Sequence, residues 1–130
     1  MTVTANPYLE GNFAPVLEEV TATELAVTGH IPETLFGRYL RNGPNPVSAP
    51  EPSTYHWFTG DGMVHGIRLR DGRAEWYRNR WVRSRQLAEA LGDKWPAGPV
   101  HNDMDFAANT HIIAHAGRFL ATVEAGPLPY

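Results

Sequence analysis

Six histidines and no cysteine set the metal chemistry open to this chain. Thiolate ligands are excluded, so imidazole and carboxylate remain. His111 and His115 stand four apart, the spacing of a metal pair on a helix. Their segment reads as a strand, where four residues span roughly 13 Å, too far for one ion. Hydrogen-bonded or exposed side chains are the expected state of both. His101-Asn102-Asp103-Met104-Asp105 offers oxygens to a hard cation but lacks the length and spacing of a calcium loop, so it reads as a solvated turn. His56 and His65 flank a glycine turn and are expected to be satisfied by nearby backbone. Trp57, Phe58, Trp76 and Trp81 could line an apolar tunnel, yet packing in the core, or between units of a larger β structure, is the expectation for each. Arg73, Arg78, Arg80, Arg83 and Arg85 form a basic run interrupted by Glu75 and Glu89. It reads as charged strand edge and helix flank. The Leu87/Leu91 face could dip into a membrane, but it is too short to hold there alone, so packing on the sheet is expected.

The elements that must position these groups are centred on Tyr55–Tyr77. Asp71-Gly72 lies between Ile67/Leu69 and Ala74/Trp76, the strongest local signal for a β-hairpin. Gly60-Asp61-Gly62 is a second turn, between Trp57-Phe58 and Met63-Val64, so the stretch reads as a three-stranded antiparallel meander. Upstream, residues 1–16 read as an irregular lead-in. Glu18–Thr28 reads as a strand, narrowing to Leu25–Thr28 where the alternation is best. Pro32–Leu35 reads as one helical turn. Arg38–Arg41 is a short strand stopped by Asn42-Gly43-Pro44-Asn45-Pro46, and 47–54 is a Pro/Ser-rich loop. Downstream, Tyr77–Arg83 stays extended, with a bulge possible there. Ser84 caps a helix to Leu91 that Gly92 ends. Residues 94–106 read as a loop, and Asn109–Ala114 and Phe119–Glu124 form a hairpin around Ala116-Gly117.

With 130 residues, one domain is expected. Eleven prolines and twelve glycines fit short elements joined by tight turns, so the class reads as all-β. A net charge of −3 argues against nucleic acid or an anionic membrane as main partner. The lack of cysteine fits a reducing compartment. No apolar run reaches membrane-spanning length, and Met1–Pro7 lacks signal-peptide character; the expectation is a cytoplasmic protein. The last hairpin has no evident following strand, so the chain reads as the opening part of a larger β structure.

Two motifs narrow this. Gly37-Arg38-Tyr39-Leu40-Arg41-Asn42-Gly43-Pro44-Asn45-Pro46 is followed by His56-Trp57-Phe58-Thr59-Gly60-Asp61-Gly62-Met63-Val64-His65. In this order, and with Ala108-Asn109-Thr110-His111, His115–Ala121 and Glu124-Ala125-Gly126, they resemble the N-terminal signature of the carotenoid cleavage oxygenases. Gly29-His30-Ile31-Pro32 and Arg80–Ser84 also fit, and the resemblance runs from about Asn6 to Tyr130. It implies the N-terminal part of a seven-bladed β-propeller around a non-haem Fe(II) held by four histidines. It implies O2-dependent cleavage of a conjugated C=C bond in a carotenoid, apocarotenoid or stilbene, giving two carbonyl products; a fringe of the family isomerises retinoids. Imidazoles suit Fe(II). The family's first iron ligand lies in an Ala-His-Pro strand downstream of Tyr130, and none of the six histidines here aligns with a ligand. Glu124 matches a family glutamate that hydrogen-bonds an iron-ligand histidine, which fixes that imidazole's tautomer. Lignostilbene-cleaving members carry a phenol-binding lysine at the preceding position; here it is Val123, which leans the substrate toward a polyene. The resemblance also allows peripheral membrane contact, through which a hydrophobic substrate would be collected. A β module that acts only through binding or assembly is the alternative reading.

Overall fold

A computed structural model of the chain describes residues 5–94 and 107–124. Two antiparallel sheets carry the fold. The larger is built on the Asp71-Gly72 hairpin: β3 (Gly62–Arg70) pairs with β4 (Arg73–Trp81). Asp71 and Gly72 have φ of 48° and 71°, the two positive values that a type I′ turn demands. β2 (Gly37–Pro44) lies on the other side of β3, and the two-residue β1 (Thr21–Ala22) on the outer side of β4, giving the order β1-β4-β3-β2. The second sheet is the hairpin β5 (His111–His115) and β6 (Arg118–Thr122), turned at Ala116-Gly117 with φ of 46° and 75°.

Several expectations need correction. Tyr55–Phe58 is not the first strand of a meander: Trp57–Thr59 is a 3-10 turn, capped by His56, and β2 takes the place beside β3. β2 runs through Asn42 and Gly43 to Pro44 instead of stopping at Arg41. Pro44 is tolerated because β2 is an edge of this sheet and the proline is its last residue. The strand expected over Glu18–Thr28 shrinks to Thr21–Ala22, and Leu25–Thr28 is irregular. The bulge lies earlier than Tyr77–Arg83. Arg68 faces Trp76 while Leu69 faces Ala74, so Glu75 is the extra residue. It brings its carboxylate to Arg68 and Arg70, at 3.6 and 3.7 Å. Pro32–Leu35 is a single turn closed by a 3.0 Å bond from Leu35 N to Pro32 O.

The helix α1 (Arg85–Leu91) forms as its caps require. The Ser84 hydroxyl accepts from Leu87 N, and Gly92, at φ 70°, donates back to the last turn. Its apolar face packs on the sheet, as expected. Leu87 is buried against Met63 and Trp81, and Leu91 and Val47 pack at the rim of this small core.

Side chains tie the lead-in to the larger sheet. Residues 16–20 run from the end of β2 to β4, where Asn79 N donates to Val20 O at 3.3 Å. The Asn45 carboxamide accepts from Val16 N and donates to Val16 O, at 2.7 and 2.9 Å. The Asn79 carboxamide likewise accepts from Val20 N and donates to Glu18 O, at 2.6 and 2.8 Å. Both asparagines are buried. Each presents an acceptor and a donor to this segment, as a peptide group would. Glu19 completes the strap by accepting from Trp81 N and from the Arg83 guanidinium. Arg83 also reaches Asp93, and Arg80 donates to Val20 O. Two members of the basic run therefore clamp the lead-in segment and are not merely solvated.

Candidate functional site

Where the two sheets meet, the backbone of one nearly touches that of the other. A methyl group built on Gly62 would lie 2.1 Å from Ala108 O, so only glycine lets β3 come this close. Two asparagines stitch the junction. Asn42 Nδ2 donates to Ala108 O at 2.8 Å and His111 O at 3.1 Å. Asn109 Nδ2 donates to Phe58 O at 2.9 Å and Gly60 O at 2.6 Å. Thr110 N then bonds Thr122 O at 3.3 Å, closing the open end of the second hairpin. The chain continues from Thr122 into Val123 and Glu124.

This junction floors an open cleft of about 670 Å3. Glu124, Val123, Asn109, Phe58, Tyr55 and Asp61 are among its lining residues. Phe58 is 68% exposed and so takes no part in the core of the described residues; it stands in the cleft wall because the 3-10 turn points it outward. Trp57 and Trp76 are half-buried, and Trp81 alone of the four is buried. Asp61 is tied down by Val47 N, which donates to its Oδ2 at 2.9 Å. Burial, and after it the Asp61 charge, raise the Tyr55 phenol above its ordinary value. At the rim, the Ser53 hydroxyl and amide hold the Glu51 carboxyl below its usual range.

Glu124 is exposed at the end of the second hairpin, its neighbour Val123 half-buried beside it. The histidines are dispersed. His111 and His115 are exposed on β5. His56 Nδ1 accepts from Phe58 N at 3.3 Å, a backbone partner as expected. His65 differs: its Nδ1 meets the Tyr77 hydroxyl at 2.8 Å, a cross-strand side chain and not backbone. His101 and the acidic run after it lie outside the described residues. Among the described residues, no three His, Asp or Glu side chains gather where they could hold a metal ion. An iron centre therefore does not fit onto those residues, and no chemical step is assigned to a metal held by them. The stitching role of these asparagines was not legible in the sequence: Asn42 read as part of a strand stop and Asn109 as a strand start, and the motifs that contain them assign neither a task.

The family model described as retinal pigment epithelial membrane protein matches residues 13–129. The chain belongs to that family. Among its relatives, the carotenoid cleavage oxygenase of Mycobacterium tuberculosis is 61% identical over 127 residues, covering 96% of this chain and 25% of the relative. A carotenoid 9,10(9',10')-cleavage dioxygenase of Crocus sativus is 49% identical over 83 residues, covering 63% of this chain and 15% of its own. The crystal structure of the Pseudomonas brassicacearum lignostilbene dioxygenase superposes with a TM-score of 0.72 at 27% identity, covering 89% of this chain and 26% of that one. Cobalt-substituted Synechocystis apocarotenoid oxygenase gives 0.70 at 28% identity, with 88% and 27% covered. This chain thus spans about a quarter of the first relatives it matches. Its mostly-β build, with few helices, is that of the carotenoid oxygenases, which are β-propellers.

Proposed function

We propose that the protein carrying this chain cleaves a conjugated C=C bond of a carotenoid or apocarotenoid with O2, at a non-haem Fe(II). The observation that carries this is the 61% identity to a carotenoid cleavage oxygenase across 96% of the chain. In this reading residues 1–130 are the N-terminal part of a single seven-bladed propeller domain, and the four histidine ligands come from later blades. Iron supplies O2 activation at open coordination positions. The described residues supply architecture and one carboxylate. Glu124, at the strand end facing the cleft, accepts the N–H of an imidazole ligand from another part of the protein. That bond holds the imidazole in one tautomer and orientation. Val123 beside it offers no charge to a phenol, which favours an apolar polyene over a lignostilbene. A cytoplasmic setting with peripheral membrane contact completes the proposal, since a polyene partitions into lipid; cosedimentation with vesicles tests that part.

The test is turnover. The longer protein, loaded with Fe(II), should convert an apocarotenal and O2 into two carbonyl products. The 130-residue chain alone should show neither turnover nor stoichiometric iron. Iron bound by histidines within this chain, or turnover by it alone, would overturn the division of labour. Absence of cleavage in the loaded longer protein, with retinoid isomerisation instead, would move it to the isomerase branch.

A further inference from the structure

Glu124 has no rigid element of its own: it stands two residues past the last ladder residue of β6, exposed, at the mouth of the cleft. Something must fix where its backbone sits. The shortest route from that backbone to the opposite wall runs through one side chain. Thr122 O accepts from Thr110 N, and Asn109, one residue earlier, grips the Phe58 and Gly60 carbonyls with a single amide nitrogen. Asn109, Phe58 and Glu124 all line the cleft. On the other flank, Asn42 holds the carbonyls of Ala108 and His111, on either side of Asn109. The junction has little slack, because Gly62 and Ala108 are already in backbone contact and Ala108 is buried.

We propose that Asn109 is a positioning residue for Glu124: by tying the second hairpin to the Phe58–Gly60 turn, it sets where the carboxylate stands at the cleft. This rests on the reading of Glu124 as the partner of an iron-ligand imidazole. The two N–H donors are what matters. An aspartate has the same shape but presents oxygens to two carbonyl oxygens, so it repels the wall that asparagine holds. Asn42 acts in parallel on the carbonyls either side of Asn109, and it does not itself line the cleft.

The experiment compares iron release to an excess of chelator from the iron-loaded longer protein, with unfolding temperature measured on the same samples. Glu124→Gln should release iron about 10- to 100-fold faster, the usual range for losing such a carboxylate partner. Asn109→Asp should release it about tenfold faster, and the double variant no faster than Glu124→Gln, because both act through one bond. If Asn109→Asp does not accumulate as folded protein, Asn109→Ala replaces it; it removes both donors without repelling the wall, and it should fall between the parent and Glu124→Gln. A lowered unfolding temperature with the parent's release rate would make Asn109 structural only and overturn the proposal. Additive effects in the double variant would also overturn it. Parental release by Glu124→Gln would instead remove the reading of Glu124 itself, and with it any positioning role toward that group.

Discussion

At the scale of single residues, the fold leans on asparagines that do the work of peptide groups. Asn79 is fully buried and satisfies Val20 N and Glu18 O while its own backbone stays in β4. Asn79→Ala would strand both backbone groups and leave a void beside Met63, whose sulfur its amide also meets at 3.4 Å. The expected cost is about 2–4 kcal/mol, read from thermal or denaturant unfolding; a cost near zero would mean that the strap at 16–20 contributes nothing to stability. His65 gives a pH prediction. Burial first, then the Arg41 charge on the neighbouring strand, lower its pKa below 6.5. The folded state thus favours the neutral ring, while the unfolded chain takes up its proton as pH falls past 6.5. Stability from this residue is complete above that value and is lost as pH drops from there toward the folded pKa. His65→Gln should flatten the stability profile between about pH 7 and 5. An unaltered slope would show that other groups set it. Neither asparagine nor the His65–Tyr77 bond was legible in the sequence, because each depends on a partner that only strand register brings near: Asn79 meets residues about sixty positions away.

Elements were legible where their signals are local. The two hairpins and the capped helix follow from Asp71-Gly72, Gly117, Ser84 and Gly92, residues whose backbone preferences are narrow; Ala116 takes a positive φ against its type because the paired strands β5 and β6 close on it. Elements set by their neighbours were not. Arg38–Arg41 extends to Pro44 because Met63 and Val64 offer Gly43 and Asn42 a partner strand, which outweighs the turn preference of Asn-Gly. The 3-10 turn at Trp57–Thr59 reads as a strand because its aromatic residues have high β preference, yet His56 caps it locally. For the site, Glu124 came from the family motif, whereas the junction that holds its hairpin came from packing alone. That junction is testable. Gly62→Ala would place a methyl 2.1 Å from Ala108 O, a backbone atom that cannot swing aside. The two sheets must separate, at a cost of about 1–3 kcal/mol or more. Hydrogen exchange should speed at β5 and β6 and change little at the Asp71-Gly72 turn. Protection lost evenly across both sheets would mean that the contact is not a local hinge between them.

For the whole molecule, what matters is how much apolar surface this chain leaves uncovered. Its buried hydrophobic residues are few, and Met63, Trp81 and Leu87 form the one cluster among those described. Against them stand Leu17, Leu35, Phe36, Tyr39, Phe58 and Phe119, each between 47% and 80% exposed. Some of this is locally shielded: Phe36 lies under the Arg68 guanidinium at 4.6 Å, and Phe119 under Arg38 at 5.4 Å. Cation–π contact covers one ring face and leaves the rest to water. The second hairpin is a two-stranded sheet, which is marginal without further strands on its edges. The matched relatives are about four times longer, so in them the equivalent surfaces have further chain to pack against. The 130-residue chain by itself should therefore bind a hydrophobic dye and associate as its concentration rises, with β5 and β6 exchanging fastest. Net charge of −3 is too small to keep such edges apart. The longer protein should bind the dye weakly and stay monodisperse. Size-exclusion and dye titration on both decide the matter. A monomeric short chain that melts cooperatively and ignores the dye would mean that these surfaces are stable in water and need no further chain to cover them.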